Sequence, residues 1–282
     1  MTSSVRIITD SACDLPESVV RELGIEVVPL FIRFGEDELI DREQLTTAQF
    51  WARCASEPDL PSTAAPSPGR FEQSIRALAA QGATGVVIID LSGDLSGTLQ
   101  SAEVAADRLT GDIPVRVVDS RTVTMGLGSI VVACARAARD GASLDEVEAL
   151  ARNLSGRCKV WGALDTLENL KKGGRIGGAK AMLASVLSIK PIIEVRDGVV
   201  QEGGKQRTRA KAVAFVVDKV REAAAGRGIS QLSVMHADCD DVDTFLAQLR
   251  EVYPGEILVG EIGAVVGAHA GRGTIGVAYF EN

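Results

Sequence analysis

The chain has 282 residues, of which 46% are hydrophobic and 24% are charged, and its formal net charge is −8. This is the composition of a globular protein with two domains or one large domain. Because a nucleic-acid-binding protein needs cationic groups to neutralise phosphates, the acidic balance argues against nucleic acid as a partner. An anionic membrane surface would repel the chain too. No apolar run approaches the roughly 20 residues that span a bilayer, so we expect no stable membrane insertion.

Histidine and cysteine usage narrows the chemistry further. Two histidines leave little scope for metal binding or acid–base catalysis, and we predict no metal site. The five cysteines are an odd number without a C-x-x-C pair, which is typical of reduced thiols in a cytoplasmic protein. The first ten residues already contain Asp10 and lack a long apolar stretch, so we expect no signal peptide.

In the first half of the chain, apolar runs alternate with segments of helical periodicity. The predicted strands cover residues 5–9, 25–34, 85–91 and 115–119. The predicted helices cover residues 47–55, 67–81, the stretch after Ser96 and residues 124–155, and a further helix runs from an Asp14 N-cap to a Gly24 stop. This alternation predicts a parallel sheet with helices on both faces.

The second half has strand-like segments that lie closer together, and Asp197-Gly198 favours a hairpin. The predicted strands cover 158–164, 189–195, 199–202, 232–236, 256–262 and 275–280, and the predicted helices cover 209–225 and 240–251. The sequence therefore predicts an α/β protein in which a three-layer parallel-sheet domain, residues 1–155, precedes a mixed-sheet α/β domain, residues 156–282. The linker-like residues 154–156 mark the boundary.

Two glycine-rich segments resemble nucleotide-binding motifs but fail the tests of their context. Residues 271–276 match G-x-G-x-x-G, yet only six residues follow, so a turn before a strand is the better interpretation. Residues 173–180 resemble a phosphate-binding loop, but Ala181 stands where a Ser or Thr is required. No serine lies in a G-x-S-x-G elbow. We interpret residues 236–243, rich in Asp, as a strand end and a helix N-cap and not as a metal site.

Small hydroxyl residues are concentrated in four loops that follow or lie between the predicted strands. These loops contain residues 9–11, 62–63, 92–98 and 119–120. Because ligands bind at the carboxyl ends of parallel strands, the loops are candidates for a binding site. Residues 96–98 precede a helix, where hydroxyls and amides suit an anion. Ser and Thr are also preferred as caps and turn residues, and both interpretations stay open.

Six short sequence words, in this order and with this spacing, carry a resemblance to a known family. They are TDSACDL at 9–15, PST at 61–63, LSGTLQSA at 95–102, DTLENLKKGGRI at 165–176, IKP at 189–191 and GAHAG at 267–271. Over essentially its whole length the chain resembles the DegV family of bacterial fatty-acid-binding proteins, which includes the fatty-acid-carrier subunits of fatty acid kinase.

The resemblance implies that the protein holds a long-chain fatty acid between its two domains, with the second domain closing over the acyl chain. It assigns the carboxylate contacts first to Thr63 and Ser96. Ser62 and Gly97 belong to the same two words and join them as ligand-binding candidates. His269 matches a position near the carboxylate.

Arg175 matches a basic residue at the mouth of the site, where it docks a kinase or steadies charge. The resemblance further implies that the protein is not itself an enzyme and carries a fatty acid as ligand, with no cofactor. Its carboxylate would be presented to a separate ATP-dependent fatty acid kinase that makes acyl phosphate.

The chain departs from the family pattern at Arg272, where proline is frequent, and at Leu99, where an aromatic residue is frequent. Arg272 would add positive charge near the carboxylate. Two alternatives stay open: a stand-alone enzyme acting on a small anionic substrate, and a carrier of another hydrophobic anion.

Overall fold

The structure is a computed structural model and describes residues 5–57, 59–109, 111–184 and 189–282. The elements of the first half are β1 (Val5–Asp10), α1 (Glu17–Leu23), β2 (Glu26–Val28), β3 (Phe31–Phe34), β4 (Asp37–Ile40), α2 (Thr47–Ser56), β5 (Ser62–Ala64), α3 (Pro68–Ala80), β6 (Gly85–Asp90), α4 (Thr98–Arg108), β7 (Val115–Asp119), α5 (Met125–Arg139) and α6 (Leu144–Arg157).

The first sheet is parallel throughout and has the strand order β2-β1-β6-β7. Ile8 and Ile88 belong to the apolar cluster formed with α3 and α4. Ile7 and Val87 point to the other face, against α5 and α6. Because both faces are covered, β6 is buried along its whole length, as its continuous apolar sequence predicts. This half is the three-layer arrangement that the sequence predicts.

The predicted strand over 25–34 is divided between two sheets. Its first part, β2, ends at Val28 in the parallel sheet, and Pro29 follows. Its second part, β3, forms a small antiparallel sheet of order β4-β3-β5, in which Ile32 pairs with Thr63. The sequence interpretation does not include this small sheet, and it is the element that places Thr63.

The start of α1 differs from the prediction. Asp14 does not cap this helix, because Asp14 has left-handed backbone angles, with φ 51°, and Pro16 occupies the N-cap position. The predicted stop at Gly24 is confirmed, since Gly24 has φ 60° and closes the helix through its backbone N–H. The Asp14 carboxyl is used elsewhere in the fold.

The second half contains β8 (Cys158–Ala163), α7 (Glu168–Lys172), β9 (Lys190–Arg196), β10 (Val199–Gln206), α8 (Arg209–Ala225), β11 (Ile229–His236), α9 (Val242–Arg250), β12 (Ile257–Glu261), α10 (Ala264–Ala270) and β13 (Ile275–Glu281), with a 3-10 helix at Gly177–Ala184. Its sheet has the order β10-β9-β8-β13-β11-β12. Only β11 and β12 run parallel within it, so this sheet is mixed, as predicted.

The predicted hairpin at Asp197-Gly198 joins β9 to β10. Both residues have positive φ, 56° and 83°, which is the backbone of a type I′ turn. The turn lies against the first half of the chain, where the Ser92 hydroxyl donates to the Gly198 carbonyl over 2.7 Å. Arg121 also donates to the Asp197 carbonyl.

The boundary between the halves contains no loop. Helix α6 continues to Arg157 and β8 begins at Cys158, so residues 154–156, which look like a linker in the sequence, form the last turn of a helix. One apolar cluster joins the halves, because Val160, Val195 and Met235 pack with the interior of the first half. In the part of the chain that the structure describes, no helix has the length and apolarity to cross a bilayer.

Candidate functional site

A cavity lies between the two halves and encloses about 820 Å³ of space between atoms, including the part that opens to solvent. Hydrophobic side chains from both halves line it, among them Leu30, Leu91, Val160, Val195, Met235 and Val265. The polar side chains that join them are Thr63, Ser96, Thr124, Arg175, His269 and Thr274. Apolar walls with few polar groups are the usual design of a small-molecule site.

Thr63 and His269 meet in this cavity although they are 206 residues apart in the sequence. The Thr63 Oγ1 and the His269 Nε2 are 2.9 Å apart. Side chains alternate between the two faces of a strand. In β5 this alternation turns Thr63 toward the cavity and leaves Ser62 exposed to solvent. Ser62 is therefore absent from the cavity wall, contrary to its place among the ligand-binding candidates.

His269 is an uncharged imidazole at neutral pH. Burial, and to a lesser extent the nearby Arg175 guanidinium, lowers its pKa to about 4. Its Nδ1 has no hydrogen-bond partner among the described residues. Gly173 lies directly against this ring, since a Cβ at Gly173 would stand 2.2 Å from Nδ1. Only glycine leaves the imidazole its present place.

Arg175 crosses the opening of the cavity between the two halves. Its Nε donates to the Leu95 carbonyl over 3.0 Å, and its Nη1 donates to the Gly173 carbonyl over 2.8 Å. Its side chain is exposed and forms no ion pair with any residue that the structure describes. Because carbonyl groups are neutral, they do not cancel the charge of the guanidinium, which can still pair with an anion at this opening.

Ser96 lines the cavity just before α4. Its hydroxyl lies 2.9 Å from the Thr98 hydroxyl and accepts from the Thr98 N–H over 3.3 Å. Gly97 occupies the N-cap position of α4 without a side-chain cap. Gly97 does not line the cavity itself; it lines a shallower opening that adjoins the cavity and shares Leu95, Ser96 and Arg175 with it. We call this opening the mouth.

In the loops at residues 9–11 and 119–120, the serine hydroxyls form hydrogen bonds with the protein backbone. Ser11 is buried and its hydroxyl accepts from the Leu30 N–H. Ser120 is also buried, and its hydroxyl accepts from the Thr122 N–H. For these loops, caps and turns are therefore the correct interpretation. Arg272 pairs with Asp238 over 2.5 Å and does not line the cavity, so it does not add charge there.

A second polar region lies at the ends of β1 and β6, where Asp10 and Asp90 are completely buried. The Asp10 carboxylate accepts from the Ala12 and Leu91 N–H groups, each over 2.7 Å. Burial raises the pKa of Asp10 to about 6. Burial, together with the neighbouring Asp10 charge, raises the pKa of Asp90 well above its usual value and so favours its neutral form. We call these two residues the acid pair.

Two residues near the cavity lie outside the sequence interpretation of the site. Thr124 lines the cavity at the start of α5. Asp14 lies beside it, because the Thr124 hydroxyl interacts with the Asp14 carboxyl. The sequence pattern indicates only a helix start at Thr124 and only a local cap at Asp14. The positive φ of Thr124, 52°, has no signal in its residue type.

The glycine-rich motifs behave as their context indicates. Residues 271–274 form a turn between α10 and β13, and Gly271 and Gly273 both have φ 81°. The segment over 173–180 ends α7 and enters the 3-10 helix. No cluster of three or more His, Cys, Asp or Glu side chains suited to a metal occurs within the described ranges.

Comparisons with known proteins agree with this architecture. A family model described as that of uncharacterised proteins of the DegV family matches residues 4–282. A DegV domain-containing protein of Streptomyces coelicolor is 35% identical over 280 residues, which cover 98% of each chain.

Two solved structures superimpose over nearly the whole chain. A DegV family protein of Thermus thermophilus, described as fatty-acid binding, has 34% identity and a TM-score of 0.90, with 99% of this chain and 100% of the other covered. A stearic-acid-binding protein of Eubacterium ventriosum has 25% identity and a TM-score of 0.90, with 98% of each covered. On the family match and these identities, the chain belongs to the DegV family.

Proposed function

We propose that this protein binds a long-chain fatty acid, buries the acyl chain between its two halves and presents the carboxylate at the mouth. Residues 1–155 then form the domain with the carboxylate-binding loops, and residues 156–282 form the domain that closes over the chain. The observation that carries the proposal is an apolar cavity with few polar groups in its wall, in which the Thr63 hydroxyl meets the His269 imidazole and from which Ser96 and Arg175 continue into the mouth. The fatty-acid binding described for the Thermus thermophilus and Eubacterium ventriosum relatives supports it.

The acyl tail supplies most of the affinity in this proposal. Burial contributes about 0.8 kcal/mol per CH₂, so about 14 methylenes correspond to about 11 kcal/mol of transfer free energy. A ligand with this tail does not stay free in water. The aliphatic walls of the cavity give it an environment comparable to a membrane interior.

The carboxylate needs compensation, because an ion removed from water without partners costs several kcal/mol. The Thr63 and Ser96 hydroxyls serve as hydrogen-bond donors, and Arg175 supplies the opposite charge. His269, which is neutral, donates through one ring nitrogen. A bound anion stabilises the imidazolium form, so binding raises the pKa of His269 from about 4.

The chemistry that follows belongs to a partner. A separate ATP-dependent fatty acid kinase transfers the γ-phosphoryl group: the carboxylate oxygen bonds to phosphorus, the bond to ADP breaks, and acyl phosphate forms. Phosphoryl transfer depends chiefly on positioning and charge neutralisation, which a carrier can supply at an exposed carboxylate. Arg175 docks the kinase or steadies charge, and the protein acts as a cytoplasmic carrier without catalytic residues of its own.

The experiment is native mass spectrometry of protein purified from its own host, followed by extraction and identification of the ligand. We expect one fatty acid per chain. The double variant Thr63→Val with Ser96→Ala removes both hydroxyls from the cavity and should lose the ligand while keeping its circular dichroism spectrum. Ser62→Ala is the matched control, because Ser62 neighbours Thr63 but faces solvent.

A stoichiometric acyl chain in the double variant would show that these hydroxyls do not hold the ligand. Hydrolysis of ATP or of an ester by the chain alone would favour the stand-alone enzyme. Extraction of another hydrophobic anion would replace the fatty acid. The kinase step is tested by adding the host kinase and ATP and measuring acyl phosphate, which should form with wild type and not with the double variant.

A further inference from the structure

Asp14 makes a long-range contact that its sequence neighbours do not predict. It is 2% exposed, and its Oδ1 accepts a hydrogen bond from the Gly263 N–H over 2.9 Å, although 249 residues separate the two. Gly263 is the N-cap residue of α10, and no side chain of α10 itself caps the helix there. Asp14 therefore supplies the cap from the other half of the molecule.

The fit around this contact is close. A Cβ at Gly263 would stand 3.2 Å from the Asp14 Oδ1, and a Cβ at Gly260 would stand 2.5 Å from the Asp14 carbonyl oxygen. The segment that leads from β12 into α10 thus lies directly on the Asp14 backbone and side chain. Thr124, at the start of α5, lies near the carboxyl and itself lines the cavity.

Helix α10 carries part of the candidate site. Val265, Val266 and His269 all line the cavity. At its other end, the Asn169 amide donates to the Ala268 carbonyl over 3.3 Å. A helix of seven residues has few bonds of its own, so these two side-chain hydrogen bonds help to fix its ends, together with the packing of Gly267 against Phe50 and Trp51.

We propose that Asp14 is a positioning residue for the carboxylate site: by capping α10 from the first half of the chain, it sets the place at which His269 meets Thr63. The inference rests on the proposed fatty-acid binding. Asp14 itself does not line the cavity and acts through the helix.

Four groups face the Asp14 carboxyl. Gly263 and Thr124 interact with it from α10 and α5, and the charged residues Arg42 and Asp41 face it from the loop after β4. Burial raises its pKa to about 7 in spite of Arg42. Because a carboxylic acid, a carboxylate and a carboxamide can all accept from the Gly263 N–H, asparagine is a functional substitute.

The test compares Asp14→Gly with Asp14→Asn. Residue 14 has φ 51°, a conformation that glycine and asparagine both tolerate, so neither change strains the backbone; asparagine keeps an acceptor oxygen, and glycine removes the side chain that carries it. With radiolabelled palmitate as probe, we expect Asp14→Gly to bind at least about tenfold more weakly and Asp14→Asn to stay within about threefold of wild type. Ser129→Ala is the control, because the Ser129 and Ser233 hydroxyls also join the halves through a buried hydrogen bond, far from α10 in the sequence.

A second readout separates positioning from general destabilisation. The chain has only two histidines, so histidine-selective NMR resolves His269. In Asp14→Gly the His269 resonance should move and its pKa should rise toward 6.5 as the ring leaves its buried place, whereas Asp14→Asn and Ser129→Ala should keep the wild-type signal.

Wild-type affinity in Asp14→Gly, or lost affinity with an unmoved His269 signal, overturns the proposal. If Asp14→Gly does not fold, Asp14→Ala, which also removes the acceptor for the Gly263 N–H, is tested with the same two readouts: weaker palmitate binding with a moved His269 signal supports the proposal, and an unmoved His269 signal overturns it. Failure of wild type to bind palmitate, by contrast, counts against the proposed function.

Discussion

Arg175 at the mouth is exposed and donates to two backbone carbonyls, whereas the acid pair is sealed from water and its member Asp10 accepts from two backbone N–H groups. At the mouth, a full positive charge faces solvent without an ionic partner among the described residues. In the acid pair, burial raises both pKa values, so one carboxyl keeps its proton. The difference separates two uses of a charged residue: the buried Asp10 fastens loops through its carboxylate, and the exposed base is left for a ligand.

The largest effect on stability is expected in the sealed region. Asp10→Ala leaves the Ala12 and Leu91 N–H groups buried without acceptors, and we expect it to lower the free energy of unfolding by about 3–5 kcal/mol. Asp10→Asn keeps one acceptor oxygen and should lose about half as much. Urea denaturation measures both. A loss below about 1 kcal/mol in Asp10→Ala would show that the carboxylate does not fasten these loops.

The next effect concerns Gly173, which lies against the His269 ring of the cavity. In Gly173→Ala the new Cβ would meet the His269 ring at 2.2 Å and the Asn169 carbonyl at 3.1 Å, so the imidazole must move. We expect palmitate affinity to fall about tenfold, while stability falls by about 1–3 kcal/mol.

Gly156→Ala is the control for this change. Gly156 lies in α6, and a Cβ added there would have nothing within 4 Å, so alanine should stabilise the helix by about 0.5–1 kcal/mol. Equal palmitate affinity in both alanine variants would mean that the close approach of Gly173 to His269 has no part in binding.

The smallest expected effect comes from Arg175→Gln. Palmitate affinity should fall about two- to fivefold, the range typical of an exposed ion pair. The pKa of His269 should rise from about 4 yet stay below 6.5, because burial is the larger cause of its depression and remains. NMR titration measures this shift, and Arg152→Gln, which alters an ion pair with Glu148 and a hydrogen bond to the Val117 carbonyl, should leave it unchanged.

The lowered pKa of His269 also determines how the stability of the protein changes with pH. In the unfolded chain His269 takes up a proton near pH 6.5, and in the native protein it does so only near pH 4. Between these values the unfolded chain binds the proton more readily than the native protein. The free energy of unfolding is therefore unaffected by His269 above pH 6.5 and decreases as the pH falls toward 4. Arg175→Gln should therefore make this acid-induced loss smaller. A steeper loss in the variant would contradict the assignment.

The sequence predicts those structural features that depend on residues adjacent in the chain. The hairpin turn at Asp197-Gly198 is determined by two adjacent residues, both of which adopt a positive φ. The burial of β6 follows from the continuous apolar run of its sequence. In the candidate site, Thr63, Ser96, His269 and Arg175 all follow from the family words, and all four line the cavity.

Long-range partners set the limits of that prediction. Asp14 is a residue type that commonly caps a neighbouring helix. Its carboxylate instead accepts a hydrogen bond from Gly263, and no pattern near Asp14 in the sequence indicates this partner. The face of β5 is fixed by its pairing with β3, which decides between Ser62 and Thr63. Arg272 looks available in the sequence and is paired with Asp238 in the fold.

The strand order of the mixed sheet has a consequence for synthesis. Strand β8 pairs with β13, more than a hundred positions later in the chain, and β13 lies inside the sheet between β8 and β11. The four strands of the parallel sheet are complete by Asp119, so that sheet can assemble while the ribosome is still producing the rest. The cavity walls on β8 and α10 cannot close until residue 281 has been made. A nascent chain can therefore carry a complete first sheet for more than half of its synthesis before it can hold any ligand.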